Sequence, residues 1–317
     1  MADIQKFEQS LDQMIQLMVQ MKESLQEEEK PKQAEKPKPQ SVKAQEKPKN
    51  NNELQLESFE QVKAALESDK WPEAVNPNLI CDPTSEEDKM ERGRGIIELM
   101  IEEDLKGLKF LDYGCGEGHT AFLATEYETA ISVGYDPNPL ARWEQFESKP
   151  NLKITTDFRE VRSYAPYDVI TVFDVIDHIK GHTPVELLTR VKGLLSDEGK
   201  IYLRCHPFTS RHATHLYHAL NKAYLHLVFS PEELKQIVQD NTYTEENSGV
   251  IYPLRTYHQY LEEAGLVSVN RRDITEKVEP FFKIPKIADR IIKNTPFNEF
   301  PEFQMSLQFV DFVLKKK

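Results

Sequence analysis

Between residues 109 and 205 the chain alternates short apolar, β-prone runs with stretches that read as helix. The strand candidates are Lys109–Tyr113, Ala130–Tyr135, Lys153–Thr155, Asp168–Phe173 and Lys200–Cys205. Few folds tolerate that pattern. Strands separated by crossover helices pair in parallel and are covered on both faces, so the expectation is an α/β, doubly wound, mostly parallel sheet. Such a sheet binds ligands at the carboxyl ends of its strands, beside the switch in strand order. With 317 residues, 39% of them hydrophobic, the chain can bury one good-sized core, which suits a single catalytic domain plus an appendage.

The appendage is at the N-terminus. Ile4, Phe7, Leu11, Met14, Met18, Met21 and Leu25 recur at alternating spacings of three and four, an a/d heptad seam over residues 1–29. A lone helix of that length is marginal, so it must dock on something. Self-association into a homo-oligomer is expected, with docking on the chain's own body as the other reading; Ile15 and Leu17 widen the stripe and leave the number of chains open. From Lys30 the composition turns to "KPKQAEKPKPQSVKAQEKPKNNN", too polar and proline-rich to bury a core, so residues 30–53 read as an extended, disordered linker and 54–317 as the catalytic domain.

The formal charge is −13, and nearly all of it falls after residue 53, where a negative surface would repel phosphate backbones and make nucleic acid a poor partner. Three cysteines, Cys81, Cys115 and Cys205, form neither a disulfide framework nor a CxxC pattern, which fits a reducing compartment. No apolar run approaches the ~20 residues of a membrane span and no signal-peptide core is visible, so a soluble cytoplasmic protein is expected.

"FLDYGCGEGHTAFLATEY" carries the first candidate site, where three glycines between a strand and a helix let the backbone approach a nucleotide-like ligand. A dinucleotide fingerprint would need its third glycine where this chain has His119. The pattern is instead Asp112-x-Gly114-x-Gly116-x-Gly118, which resembles the first motif of the class I S-adenosylmethionine (SAM)-dependent methyltransferases, an acid followed by GxGxG. The resemblance covers roughly residues 85 to 317 and implies a Rossmann-like fold with a seven-stranded sheet, SAM as cofactor, and methyl transfer. Asp136 ends the second strand in "ISVGYDPNP", where a carboxylate can accept hydrogen bonds from both ribose hydroxyls. Asp157 and Phe158 in "ITTDF" take the family's positions for the adenine amine and ring, although Asp157 could equally cap a helix. "LLSDEGKIYL" matches the family's turn before the fifth strand.

"YDVITVFDVIDHI" looks like the fourth-strand motif of ubiquinone-biosynthesis-type O-methyltransferases, with Asp174, Asp177 and His178 at the positions of two glutamates and a histidine. Asp174, at the strand end, is counted with the cofactor-binding residues. In some relatives that unit plus a later histidine holds a divalent metal, which here implies Asp174, Asp177, His178 and His206 as ligands for Mg or Mn. A helix starting at Asp174 would put the first three on one side. The competing reading is metal-free, with Asp174 capping that helix and His178 or His206 as general base.

A long insertion, residues 206 to 255, precedes the family's last large helix, "YHQYLEEAGL", and its place after a strand end suits a helical lid over the pocket. It holds His206, His212, His215, His218 and His226. Thr209 or Ser210 would cap a helix running to about Phe229, its basic face (Arg211, His215, His218, Lys222) turned to the acceptor or to solvent, and Ser230 with Glu233 would box the next. The proline- and phenylalanine-rich stretch 274–304 either walls the acceptor pocket or covers the core. The expected activity is O-methylation of a small molecule or glycan. The rivals are a nucleic-acid 2′-O-methyltransferase and an assembly protein that keeps the fold as a scaffold.

Overall fold

The structure is a computed structural model that describes residues 56, 58–75, 85–138, 143–146, 149–179, 182–238 and 251–317. The heptad seam, the linker and Cys81 lie outside the described residues. The chain orders as α1 (Phe59–Ala65), α2 (Glu86–Met100), β1 (Lys109–Tyr113), α3 (His119–Ala124), β2 (Ile131–Tyr135), β3 (Leu152–Thr155), α4 (Phe158–Tyr164), β4 (Tyr167–Phe173), α5 (Pro184–Lys192), β5 (Leu195–Cys205), α6 (Leu225–Val228), α7 (Pro231–Ile237), α8 (Leu254–Glu263), β6 (Leu266–Thr275), α9 (Pro285–Asn294), α10 (Glu302–Ser306) and β7 (Leu307–Lys316).

All seven strands form one sheet in the order β3-β2-β1-β4-β5-β7-β6. β1 to β5 pair in parallel and β7 runs antiparallel between β5 and β6. This is the doubly wound sheet expected, and the strand order reverses between β1 and β4, which puts the ligand crevice over their carboxyl ends. Because successive strand residues face opposite sides, Phe110, Val169, Tyr202 and Val313 pack under α2 and α3, while Leu111, Ile170, Leu203 and Phe312 pack under α5 and α8. Those side chains are almost wholly out of water, each stabilising by about 1.5–3 kcal/mol for an aliphatic or Phe side chain.

A second, separate core covers the carboxyl end of the sheet. Val62, Trp71, Leu216, Leu227, Phe282 and Ile291 meet there, drawn from α1, the insertion after β5 and the segment between β6 and β7. The insertion is therefore part of a helical cap with its own apolar interior.

α2 is capped by Ser85, whose side chain accepts from the amide of Asp88. One local expectation needs correction: no continuous helix runs from residue 210 to Phe229. A 3₁₀ turn over Ala213–His218 is followed by a left-handed Tyr224 (φ 55°) and the short α6. Long-range hydrogen bonds take the groups such a helix would use: Asn221 exchanges side-chain hydrogen bonds with the backbone of Val75 at 2.8 and 3.0 Å, the indole of Trp71 donates to the Ala223 carbonyl at 3.0 Å, and the Ala223 amide donates to Pro72 at 2.9 Å. The predicted basic face is dispersed as a result. Arg211 pairs with Glu276 and Glu279, Lys222 reaches the carbonyls of Ser68 and Trp71, and His218 is exposed. The Ser230–Glu233 capping box forms as expected.

Candidate active site

The glycine loop closes β1 onto α3 with three left-handed glycines, Gly114 (φ 83°), Gly116 (φ 52°) and Gly118 (φ 88°). Their surroundings differ. A Cβ on Gly114 would lie 2.2 Å from Cγ2 of Val175, and one on Gly118 would lie 2.5 Å from Cδ1 of Ile154. Gly116 has nothing within 4 Å of that position, so it faces open space. The amides of Gly114 and Cys115 donate to the Tyr135 carbonyl at 2.7 and 3.0 Å, which fastens the loop to the end of β2.

Asp136 follows directly. Its carboxylate accepts from the Gly116 amide at 3.1 Å and from the Asn138 amide at 2.9 Å, so it is aimed at the loop with lone pairs to spare. The indole of Trp143 donates to the Gly116 carbonyl at 2.8 Å from the other side. Asp112 is buried under the loop, and burial pushes its carboxyl up to about 6 against the opposing hydrogen bond from the Thr171 hydroxyl. Asp157 caps α4 by accepting from the Arg159 amide at 2.8 Å and also holds the Arg159 guanidinium, as its alternative reading had it. Phe158 is half-buried, edge-on to Tyr135 with ring centroids 5.6 Å apart.

At the switch point, Asp174 ends β4 in a left-handed conformation (φ 55°) that a non-glycine residue adopts at a cost. One carboxylate oxygen is 2.9 Å from Nε2 of His206, at the end of β5, and the other takes a hydrogen bond from Arg92 of α2. Burial alone would raise the Asp174 carboxyl. The hydrogen bond and charge of His206, with the charges of Arg92 and Arg204, outweigh it and hold the group well below the usual carboxylate range. For His206, burial works to lower the imidazole but the Asp174 hydrogen bond and charge outweigh it, and the ring keeps its proton to higher pH than usual. The ring packs edge-on against His212 and Phe309, with centroids 5.2 and 4.7 Å away. A cavity of about 380 Å³ lies beyond His212 and Phe309, lined also by Arg211, Glu276, Glu279 and Gln308.

The metal expectation fares differently. Residues 174–179 form a turn and the next helix, α5, begins only at Pro184, so Asp174, Asp177 and His178 do not line up on one helix face. Asp177 is buried, whereas the His178 side chain is half exposed with Nε2 3.7 Å from the Asp177 carboxylate. With Arg92 and His206 already on the two oxygens of Asp174, the set Asp174, Asp177, His178 and His206 does not fit a divalent ion. Among the described residues the grouping with ligand-like spacing is Glu86, Glu117 and His119, and there the Lys89 ammonium bridges the two carboxylates at 3.2 and 2.7 Å.

That bridge belongs to a line of polar residues along α2 that sequence inspection did not single out. Glu86 meets His119 at 2.9 Å, Lys89 meets Glu117 in the glycine loop, and Arg92 meets Asp174. Their three-residue spacing, inside "EEDKMERGRG", was the available signal, since such residues share a helix face. Of the insertion's histidines, His226 is a structural one: it hydrogen-bonds the Phe208 carbonyl at 2.7 Å, and burial lowers its ring to about 4.

The sequence profile of a methyltransferase domain matches residues 87–270, more than half of the chain. Among solved structures the chain is similar to 1,6-didemethyltoxoflavin-N1-methyltransferase of Burkholderia thailandensis, with 12% identity over 73% of this chain and 80% of that one and a TM-score of 0.43. It is also similar to magnesium protoporphyrin IX methyltransferase of Synechocystis PCC 6803, with 12% identity over 74% and 89% of the two chains and a TM-score of 0.44. A SAM-dependent methyltransferase of Mesorhizobium loti gives 12%, 71% and 96%, and 0.43. No curated protein matches the sequence.

Proposed function

This chain belongs to the class I SAM-dependent methyltransferase family, and from that premise we propose that it methylates an oxygen of a small molecule or glycan, with His206 as the general base. One observation carries the choice of oxygen: buried His206 and half-buried Asp174 pair at 2.9 Å at the end of β5, and the His206 ring packs on His212 and Phe309, which line an acceptor-sized cavity. A neutral amine attacks without losing a proton first, whereas a hydroxyl needs its proton removed as the bond forms, and a buried imidazole held by a carboxylate does that. Asp174 orients the ring through Nε2, and it stabilises the imidazolium once formed.

SAM supplies a sulfonium methyl for in-line displacement, and holding acceptor and methyl in line is the larger part of the acceleration. Gly114, Gly116 and Gly118 keep the backbone low enough for the cofactor to approach, and Asp136 receives the ribose hydroxyls. Phe158 packs the adenine, with Asp157 at its amine edge while capping α4. Asp112 supports the loop from beneath. Arg92 of α2, which reaches the end of β4 through its pair with Asp174, is the cation assigned to the methionine carboxylate. His178 has no part in the proton transfer in this reading, and no divalent metal takes part.

We assign residues 1–29 to self-association on the linker of residues 30–53, apart from the catalytic domain of residues 54–317. Incubating the protein with labelled SAM and fractionated host metabolites, glycans and RNA tests the acceptor. Label in the metabolite or glycan fraction, stable to mild acid as an ether, supports the reading. Label in RNA, or on an amine, overturns it.

A further inference from the structure

We propose that a second cavity, on the α8 face of the sheet, binds a small amphipathic carboxylate. It has a volume of about 390 Å³ and apolar walls that include Phe208, Pro253, Leu254, Phe297 and Leu307, with Phe303 at the rim, 63% exposed. An aromatic side chain left that open to water beside a concave apolar wall marks a binding surface.

The cavity is not part of the methyl-transfer site. His258, on its wall, sits edge-on to Phe312, with ring centroids 5.2 Å apart, and Phe312 belongs to the core beneath α5 and α8. Asp311, next along β7, pairs with Arg204 on the opposite side, where Arg204 lies over Phe309 and His206 packs on that same ring. The two cavities have no lining residue in common.

Charge selects the ligand. Arg271 on the wall is balanced by Asp273, at 2.6 and 2.9 Å. The His258 imidazole is held below its ordinary value by partial desolvation and by the Arg271 charge. Arg255, in the first turn of α8, is exposed and has no ion pair or hydrogen bond from its side chain among the described residues. The cavity therefore offers an apolar body and one uncompensated guanidinium, on a chain whose formal charge is −13. A planar guanidinium fork matches a carboxylate in two hydrogen bonds, and the volume suits a two-ring aromatic or a medium-length acyl chain.

Calorimetry with 2-naphthoate and decanoate tests this, with 2-naphthalenemethanol as the uncharged body. The expectation is that both anions bind the intact protein, the alcohol more weakly. Arg255→Glu should weaken the anions roughly tenfold to a hundredfold while sparing the alcohol, and Leu254→Trp should fill the cavity and remove all three. An unchanged melting temperature for Arg255→Glu certifies its fold without reference to SAM, so the result stands apart from the methyltransferase reading. Equal anion affinity in Arg255→Glu and the parent, or no anion binding by the parent at about 1 mM, overturns the proposal.

Discussion

The glycine loop offers a test in which stability and cofactor binding should separate. Alanine at Gly116 meets no protein atom within 4 Å, so its folding cost is the left-handed backbone alone, about 1–2 kcal/mol. Alanine at Gly114 carries that same cost and also drives a methyl to 2.2 Å from Cγ2 and 3.1 Å from Cγ1 of Val175, beside Asp174. Overpacking of that kind adds roughly 1–3 kcal/mol, for a total of about 2–5. For a domain of this size one kcal/mol is worth roughly 2–4 °C, so Gly114→Ala should lower the melting temperature about twice as far as Gly116→Ala or more. Calorimetric titration with SAM should show the other half: Gly116→Ala, still folded, loses affinity because its methyl projects into the space assigned to the cofactor. Adding Val175→Ala to Gly114→Ala removes the struck methyls and should recover the overpacking part of the loss but not the backbone part. Equal melting temperatures for the two single variants would refute the steric argument, and full SAM affinity in Gly116→Ala would refute the placement of the cofactor.

Asp136→Ala should weaken SAM by roughly tenfold to a hundredfold, the loss of about 1.5–3 kcal/mol from charge-assisted hydrogen bonds, measurable in the same titration. If His206 is the base, the rate should rise with pH through its folded value, which Asp174 holds above the ordinary imidazole range, and Asp174→Asn should move that limb to lower pH. The same pair links stability to pH: the share from His206 is fully present below about pH 6.5 and is lost as pH rises through the folded value, while the share from Asp174 is present above about pH 3.9 and is lost as pH falls; thermal melts across pH should show both limbs. Activity should survive EDTA, and an enzyme that EDTA silences and Mg²⁺ or Mn²⁺ restores would reinstate the metal reading. Deleting residues 1–29 should lower the oligomeric state by light scattering and leave SAM affinity nearly unchanged.

Local chemistry made much of this protein legible in advance. Short apolar, β-prone runs placed β1 at both ends and β2, β3 and β4 to within a residue, and the glycines located the crevice because only they take positive φ without cost. Ser230 and Glu233 announced their helix for the same reason, since a capping box is complete within four residues. What tertiary structure alone decided is which distant group each polar side chain finds. Asp174 could have capped a helix or held an ion, and it became the partner of Arg92, 82 positions earlier, and of His206, 32 positions later, because the doubly wound order brings α2 and the ends of β4 and β5 together. The helix drawn through residues 210–229 broke for a related reason. Its sequence has helical periodicity, but Trp71, Pro72 and Val75 supply hydrogen bonds from more than 140 positions away, and a backbone group already satisfied by a distant partner is no longer available to its own helix.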